Sequence, residues 1–490
     1  MKTKNRLSIM FRIIFLIVWV ILFGLLLQRD YFVRTLDIRE TQVLKKSREE
    51  SFQGIYFKNE RIGYVKNRLV KGEDDDVTLF QDASLRLNII DQIYPVHMSI
   101  RASLTKNSLL KDFTLHLTSP FYKMAAQGVV HDHEVCFTMN TGKEEISDTI
   151  RLNRPPVLST NMRGYLLKHG LKQGEKFKVP YFDPVSLSGK DSLMEYKGLK
   201  KILIRGRIFR LHHFIETFSG IRIGFYLDEQ GKVIKEESPA GFVFISEPEF
   251  QATDIAEIGP EILSSVSVPL TGDMPDLDGL GSIDYRLAMP AETEFELNKD
   301  RQTFNNNILS VKIEPLPAGG STPCIGHEKE LESTAYTQSK ARPISDLSSS
   351  ITGDSEDAMD KVRLLAEWVY SNIEKRPVLS IPDALTTLHT KVGDCNEHAV
   401  LFAALARSAS IPTRIAAGVT FHEGAFFYHA WNEVCLDGKW ISLDTTKNQI
   451  PADITHIKFV EGETREQVKI GALLGRLKIE VVEQGGELEQ

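Results

Sequence analysis

The sequence predicts an α+β fold with four parts: an N-terminal transmembrane helix, a large antiparallel β-rich domain, a small β-rich connector and a C-terminal α+β domain. Three observations lead to this prediction. An apolar run fills positions 13–27, β-branched and aromatic runs recur from Phe52 to about Glu247, and helical periodicity begins near Ser355. The length of 490 residues also exceeds what one ordinary core accommodates.

The N-terminal run predicts an uncleaved, single-pass anchor over residues 1–28. Lys2 and Arg6 precede the apolar stretch Ile13–Leu27, and Arg12 can extend toward lipid headgroups. The alternative is a cleaved signal peptide, but residues 28–31 (QRDY) offer no small-residue cleavage site. Basic residues before the run predict that the N-terminus lies in the cytoplasm and the bulk of the chain lies outside the inner membrane, in the periplasm.

Residues 29–50 mix charged and apolar positions without Gly or Pro, which predicts a helical stalk. Residues 51–250 are predicted to form a large antiparallel sheet or a partly closed barrel, because strand-like runs alternate with turn residues. The predicted strands are Ile62–Leu69, Val77–Phe80, Ser84–Ile90, Met98–Leu104, Phe113–Leu117, Lys201–Ile208, Ile221–Leu227 and Gly241–Ile245.

The remaining chain divides at the Gly/Pro/Ser-rich stretch Pro317–Pro323. Residues 251–320 are predicted to be a β-rich connector and residues 321–490 a separate domain. In that domain an amphipathic helix follows Ser355, and a second helix begins at Asp394 and ends at Pro412. The strand-like runs that follow are Arg414–Phe421, Phe426–Leu436 and Lys439–Asp444.

Composition narrows the class of function. A net charge of −7 gives no general attraction to nucleic acid, so none is expected as a partner. The four cysteines have no zinc-type spacing, and we expect neither a metal nor a cofactor. One pair could form a disulfide in an oxidising compartment, and the sequence leaves open the state of Cys136, Cys324 and Cys435.

The segment GDCNEHA, residues 393–399, carries the first candidate for chemistry. Asp394 suits a helix N-cap, which places Cys395 in the first helical turn. The helix dipole favours an anion there, so we expect a lowered thiol pKa and a nucleophilic thiolate. The alternative interpretation is a small buried cysteine. His398 lies on the adjacent helical face and is interpreted as structural.

The downstream strands supply a base and a carboxylate. Asp437-Gly438 predicts a two-residue hairpin turn in which Leu436 faces Lys439. In that register Asp444 is the diagonal neighbour of His429, within reach of a hydrogen bond to the imidazole. A histidine oriented by a carboxylate follows the logic of a catalytic triad.

These segments resemble the transglutaminase-like superfamily. The resemblance rests on GDCNEHAVLFAALARSASIPTR, YHAWNEV and GKWISLDTT, within residues 387–446. It implies a papain-like fold in which Cys395, His429 and Asp444 are catalytic. The sequence departs from the family pattern at Ser410, where glycine is usual, and at Thr445, where proline is usual.

The resemblance implies acyl transfer through a thioester at Cys395, either as a cysteine protease or amidase or as a transglutaminase. The expected substrate is a polypeptide or a cell-wall peptide. Trp431 and Asp394 are candidates for contacting it. The alternative is a non-catalytic envelope scaffold that binds a polypeptide through the same fold.

Overall fold

The computed structural model describes residues 50–484 apart from short gaps. The gaps are residues 72–75, 91, 106–108, 121, 142–144, 159–166, 168–170, 256–257, 292 and 379. The predicted anchor, and the predicted stalk up to residue 49, therefore lie outside the described residues. Glu50, assigned to the stalk, opens the first strand.

The first part of the chain forms a 14-stranded antiparallel sheet. Its strands are β1 Glu50–Phe57, β2 Glu60–Lys71, β3 Val77–Ile89, β4 Gln92–Leu104, β5 Leu110–Thr118, β6 Lys123–His131, β7 Glu134–Asn140, β8 Glu145–Arg151, β9 Lys176–Asp183, β10 Ser188–Ile204, β11 Arg207–Phe218, β12 Ile221–Leu227, β13 Val233–Glu237 and β14 Phe242–Glu247.

The order of these strands follows a meander in two arms. Strands β1 to β8 pair in sequence on one side, and β14 back to β9 pair in sequence on the other. The arms join where Phe52 of β1 lies opposite Glu247 of β14. Alternate side chains point to one face and build its main core, including Phe113, Leu115 and Phe182.

The second part mixes helices and strands. In chain order its elements are α1 Glu249–Ala252, α2 Leu263–Val266, β15 Val268–Thr271, β16 Ser282–Ala288, β17 Gln302–Asn305, β18 Ile308–Lys312, α3 Arg342–Thr352, α4 Ala358–Asn372, β19 Glu374–Lys375, α5 Ala384–Thr390, β20 Val392–Gly393, α6 Cys395–Ser408, β21 Thr413–His422, β22 Ala425–Leu436, β23 Lys439–Leu443, β24 Ile457–Glu461, α7 Thr464–Gln467 and β25 Lys478–Gln484. Single 3₁₀ turns lie at Glu328–Leu331 and Val468–Leu473.

A nine-stranded sheet organises this part. Its order is β17-β18-β16-β25-β15-β22-β21-β24, with β23 paired to β22. Strands from both sides of the predicted boundary at residue 320 therefore lie in one sheet. Helices α3, α4, α5 and α6 pack together, and their core includes Ile415, Ala430 and Val434 of the sheet. Helix α6 is buried nearly all round, so its position is fixed by packing on every side.

The 14-stranded sheet contacts the second part of the chain at the segment that precedes α6. Ile381 and Tyr336 belong to the main core of the 14-stranded sheet. The hydroxyl of Tyr122 donates to the carbonyl of Ile381 at 3.2 Å. Thr141 and Thr386 share a hydrogen bond of 2.7 Å. The β-rich part therefore packs against the segment that leads to Cys395, so a linker is not its only connection to the rest of the chain.

The predicted fold class is wrong. The described residues are 50% strand and 17% helix, so this part of the chain is β-rich rather than α+β, with the large antiparallel sheet as its main feature. The predicted transmembrane helix is not part of the corrected fold class. Within residues 50–484 as described, no helix combines the length and apolar character needed to cross a bilayer.

The strand content was underestimated because several strands lack β-branched runs. Strand β6 reads KMAAQGVVH, where Ala, Gln and Gly weaken the pattern. The predicted runs Val77–Phe80 and Ser84–Ile90 are one strand, β3. The predicted run Lys201–Ile208 instead crosses a hairpin turn at Arg205-Gly206, where both residues have positive φ.

Candidate active site

Cys395 is the first residue of helix α6, and the sequence around it fixes this start. The side chain of Asp394 accepts from the backbone N–H of Asn396 at 2.8 Å. In return, Oε2 of Glu397 accepts from the backbone N–H of Asp394 at 2.9 Å, which completes a capping box. Asp394, predicted to contact substrate, thus has both backbone and side chain engaged in capping.

The sulfur of Cys395 lies against strand β22. The backbone N–H of Ala430, the residue after His429, donates a hydrogen bond to it. Burial raises the pKa of the thiol well above its ordinary value, and the negative charges of Asp394, Glu397 and Asp444 act in the same direction. The lowered thiol pKa expected from the helix dipole is therefore wrong, because burial and nearby carboxylates outweigh the dipole.

The hairpin that carries the other two residues has the predicted register. Leu436 pairs with Lys439, and Cys435 pairs with Trp440. Asp437 has φ 50° and Gly438 has φ 76°, as a type I′ turn requires. This register places residue 444, just after β23, beside residue 429 of β22.

His429 and Asp444 are joined by a hydrogen bond of 2.8 Å between Nε2 and Oδ2. The histidine side chain is 10% exposed and the aspartate side chain is 0% exposed. Burial by itself would raise the pKa of Asp444, but the charges and hydrogen bonds of His429 and His456 hold it well below its usual range. An ionised Asp444 accepts the Nε2 proton, so Nδ1 of His429 is the nitrogen left to act as a base.

A second histidine, His456, also binds Asp444. Its Nε2 lies 3.1 Å from the same Oδ2, and its Nδ1 lies 3.0 Å from Oδ1 of Asp453. The side chain is 0% exposed. Sequence reasoning missed His456, because it follows an irregular segment after β23 that carries neither helical nor strand periodicity.

The remaining predicted residues have packing roles in this structure. Trp431, a candidate for substrate contact, is 2% exposed and stacks near His429, with ring centroids 6.4 Å apart. Its indole edge also meets His456. His398 is buried, and its Nδ1 lies 2.7 Å from the backbone oxygen of Asp394. This contact agrees with its interpretation as a structural residue.

Three clusters of potential metal ligands occur among the described residues, and each is engaged otherwise. His429, Asp444 and His456 bond to one another. Cys324 and Cys435 form a disulfide beside His327. The third cluster, Asp300, Glu433 and Glu461, surrounds the ammonium of Lys458.

Comparison with known proteins relates part of the chain to one family. The family model of the transglutaminase-like superfamily matches residues 345–445. The chain contains a transglutaminase-like domain. The matched range holds α6 and the strands that carry His429 and Asp444. A comparison with curated proteins finds no match.

Solved structures resemble the chain only distantly. A proposed cysteine protease from Cytophaga hutchinsonii is 19% identical, with a TM-score of 0.27, covering 43% of this chain and 89% of that one. A proposed protease from Parabacteroides distasonis is 10% identical, with a TM-score of 0.21, covering 70% and 67%. A β-barrel-like protein from Brucella abortus is 10% identical, with a TM-score of 0.31, covering 40% and 94%.

One departure from the family pattern, Ser410, lies where the backbone conformation favours glycine. Ser410 has φ 63°, the left-handed region that favours glycine. It follows α6 in a closing motif, with Ile411 N–H donating to Ala406 O at 2.9 Å and Ser410 N–H donating to Arg407 O at 3.0 Å. The serine therefore carries a conformational cost that the usual glycine avoids.

Proposed function

We propose that the transglutaminase-like domain is a thiol acyl-transfer enzyme that hydrolyses, or transamidates, peptide or glutamine amide bonds. Cys395 is the nucleophile, His429 the general base and Asp444 the residue that orients His429. The observation that carries the proposal is the 2.8 Å hydrogen bond between His429 and Asp444, next to a cysteine whose sulfur accepts from the backbone of Ala430.

The first step is attack of the Cys395 sulfur on an amide carbon. Because the thiol is held protonated at neutral pH, its proton passes to Nδ1 of His429 as the sulfur–carbon bond forms. Asp444 stabilises the imidazolium that results. The carbonyl electron pair moves to oxygen, and in this proposal the backbone N–H of Cys395 at the start of α6 stabilises the oxyanion.

The second step releases the amine. The tetrahedral intermediate collapses, the carbon–nitrogen bond breaks, and His429 returns the proton to the leaving nitrogen. A thioester on Cys395 remains. Water then resolves it in a hydrolase, or an amine resolves it in a cross-linking enzyme. We favour hydrolysis of a polypeptide or cell-wall peptide.

The experiment is to incubate the full chain with a glutamine-containing peptide library and to measure released ammonia and cleaved peptides. Added hydroxylamine yields a hydroxamate if an amine can resolve the thioester. We expect product from the wild-type protein and none from Cys395→Ala. Equal product from both proteins would exclude Cys395 as the nucleophile.

The rival is a non-catalytic scaffold that binds a polypeptide through this domain. The raised pKa of the half-buried Cys395 thiol favours it, because such a thiol is a weak nucleophile until a base takes its proton. Peptide binding without product, unaffected by His429→Ala, would support the rival.

We also propose an extracytoplasmic location for this domain. The disulfide between Cys324 and Cys435 supports this, since such bonds persist mainly in oxidising compartments. Reaction of both cysteines with a thiol reagent in native cell extracts, without prior reduction, would argue against this location.

A further inference from the structure

We propose that His456 is a positioning residue that fixes the Asp444 carboxylate by a second hydrogen bond to the oxygen that binds His429, so that the oriented unit is Asp453–His456–Asp444–His429. The inference rests on the proposed function, because it assigns a support to the same base. It assigns no contact between His456 and the substrate or the reacting atoms.

The hydrogen bonds of His456 define its charge. Both ring nitrogens face carboxylate oxygens, Asp444 at 3.1 Å and Asp453 at 3.0 Å. A neutral imidazole has only one N–H, so one nitrogen lone pair would then face an anion. A fully buried ring with two carboxylate partners therefore calls for an imidazolium, which donates to both.

The hydrogen bonds of Asp444 show what this imidazolium does. Oδ1 accepts from the backbone N–H groups of Thr446 at 2.7 Å and Lys447 at 3.2 Å. Oδ2 accepts from His429 and His456. Without His456, the oxygen that holds the base would keep one side-chain partner instead of two, and the carboxylate could rotate away from His429.

The anchor behind His456 comes from the predicted connector region. Arg301 is buried and donates to the backbone oxygens of Ala452 at 2.7 Å and Asp453 at 2.5 Å. The Asp453 carboxylate also accepts from the Thr455 backbone at 2.9 Å and from Gln449 at 3.0 Å. These contacts hold the Asp453 carboxylate in place, which in turn fixes the ring of His456.

Among the described residues, the titratable side chains in contact with His456 are Asp444, Asp453 and His429. The His429 ring centroid is 5.8 Å away, and the apolar face of the site is closed by Trp431 at 5.1 Å. His456 and Asp453 together add no net charge, which leaves the single negative charge of Asp444 behind His429. His456 therefore acts through orientation more than through added charge.

The test measures acylation of Cys395 by p-nitrophenyl acetate in a Cys136→Ser background. The rate is followed as the burst of released p-nitrophenol and is measured over a range of pH values. We expect His456→Phe to slow the burst at neutral pH at least about tenfold, the order that losing an outer-shell hydrogen bond costs at a metal-bound histidine. His456→Gln, which keeps one N–H donor toward Asp444, should recover part of the rate. A second measurement, alkylation by iodoacetamide at high pH, needs no base and should be the same in all variants.

The matched control is His213→Phe, which replaces another buried histidine in the 14-stranded sheet, stacked on Tyr226. It should leave the burst and its pH profile unchanged. A Cys395-dependent burst in the wild type that His456→Phe does not slow would overturn this inference while leaving the proposed function intact. No Cys395-dependent burst in the wild type would instead remove the proposed function.

A spectroscopic measurement keeps the inference testable if His456→Phe does not fold. Ring ¹⁵N chemical shifts of the wild-type protein should report His456 with both nitrogens protonated at neutral pH, and Asp453→Asn should abolish this state. A neutral His456 ring in the wild type would overturn the inference.

Discussion

Nε2 of His429 lies 2.8 Å from Oδ2 of Asp444, and this contact decides which ring nitrogen can serve Cys395. The acceptor is an ionised carboxylate, so Nε2 carries the proton and Nδ1 carries the lone pair. The thiol lies beside the backbone of the next residue, Ala430.

Asp444→Asn should slow acylation of Cys395 by p-nitrophenyl acetate by about 10⁴-fold, as the same change does in a serine triad. An amide can present N–H to Nε2, which reverses the tautomer and places a proton on Nδ1. Stopped-flow release of p-nitrophenol measures the rate. The control is Asp437→Asn in the hairpin turn, a position that tolerates asparagine. A loss smaller than tenfold for Asp444→Asn would contradict the assigned role.

Alkylation of Cys395 by iodoacetamide should rise with pH and reach its midpoint above pH 9, since burial raises the pKa of this thiol above 9.0. Peptide mass spectrometry after timed quenching gives the rate for Cys395 separately from Cys136. Denatured protein provides the control, with the midpoint of an ordinary cysteine. A rate plateau between about pH 5 and 7 would instead indicate a preformed thiolate–imidazolium pair.

The pH dependence of stability should show the contribution of His456. Burial lowers its pKa, but hydrogen bonds to Asp444 and Asp453 outweigh burial, so the net pKa is raised. A raised histidine pKa gives stabilisation that is complete below the unfolded value of about 6.5 and is lost as pH rises through the folded value. The melting temperature should therefore fall on the alkaline side.

In His456→Gln this alkaline decline should be weaker, because glutamine does not titrate. Calorimetry from pH 6 to 10 on both proteins measures the difference. Asp453 has a depressed pKa, since its bonds to His456 and Thr455 outweigh burial, so its stabilisation is lost on the acid side instead. Parallel alkaline slopes in the two proteins would argue against a charged His456.

Ser410→Gly should raise the free energy of unfolding by about 1 kcal/mol, because Ser410 adopts φ 63° and the left-handed region costs a non-glycine residue about that much. Ser349→Gly makes the same chemical change at an exposed position inside α3 and should destabilise by about 0.5–1 kcal/mol. Urea unfolding measures both. Equal effects at the two positions would show that backbone strain at Ser410 does not lower the free energy of unfolding.

The sequence predicted Cys395 in the first turn of α6 and the hairpin register that brings His429 beside Asp444, because local rules govern both. A capping box starts α6, and the Asp437-Gly438 turn fixes the hairpin register. The catalytic roles of these residues remain a prediction. His456 could not be predicted as part of the site, because its position beside Asp444 depends on an irregular segment whose path is set by tertiary contacts.

The overall fold was harder to predict because sheet pairing is set by long-range contacts. The predicted strands omitted β25, which pairs with β15 and β16 from far earlier in the chain. Gly418 illustrates the same limit. A Cβ there would lie 1.9 Å from the carbonyl oxygen of Ile457, so only glycine permits β24 to approach β21 this closely. On its other side, Gly418 of β21 pairs with His429 of β22.

The most direct test of the central claim is peptide mapping of the protein after brief exposure to p-nitrophenyl acetate at neutral pH. We expect an acetyl thioester on Cys395 that forms in the Cys136→Ser protein, is hydrolysed on standing, and nearly disappears in His429→Ala. Acetylation of Cys395 at the same rate with and without His429 would contradict the account, because the thiol would then need no base.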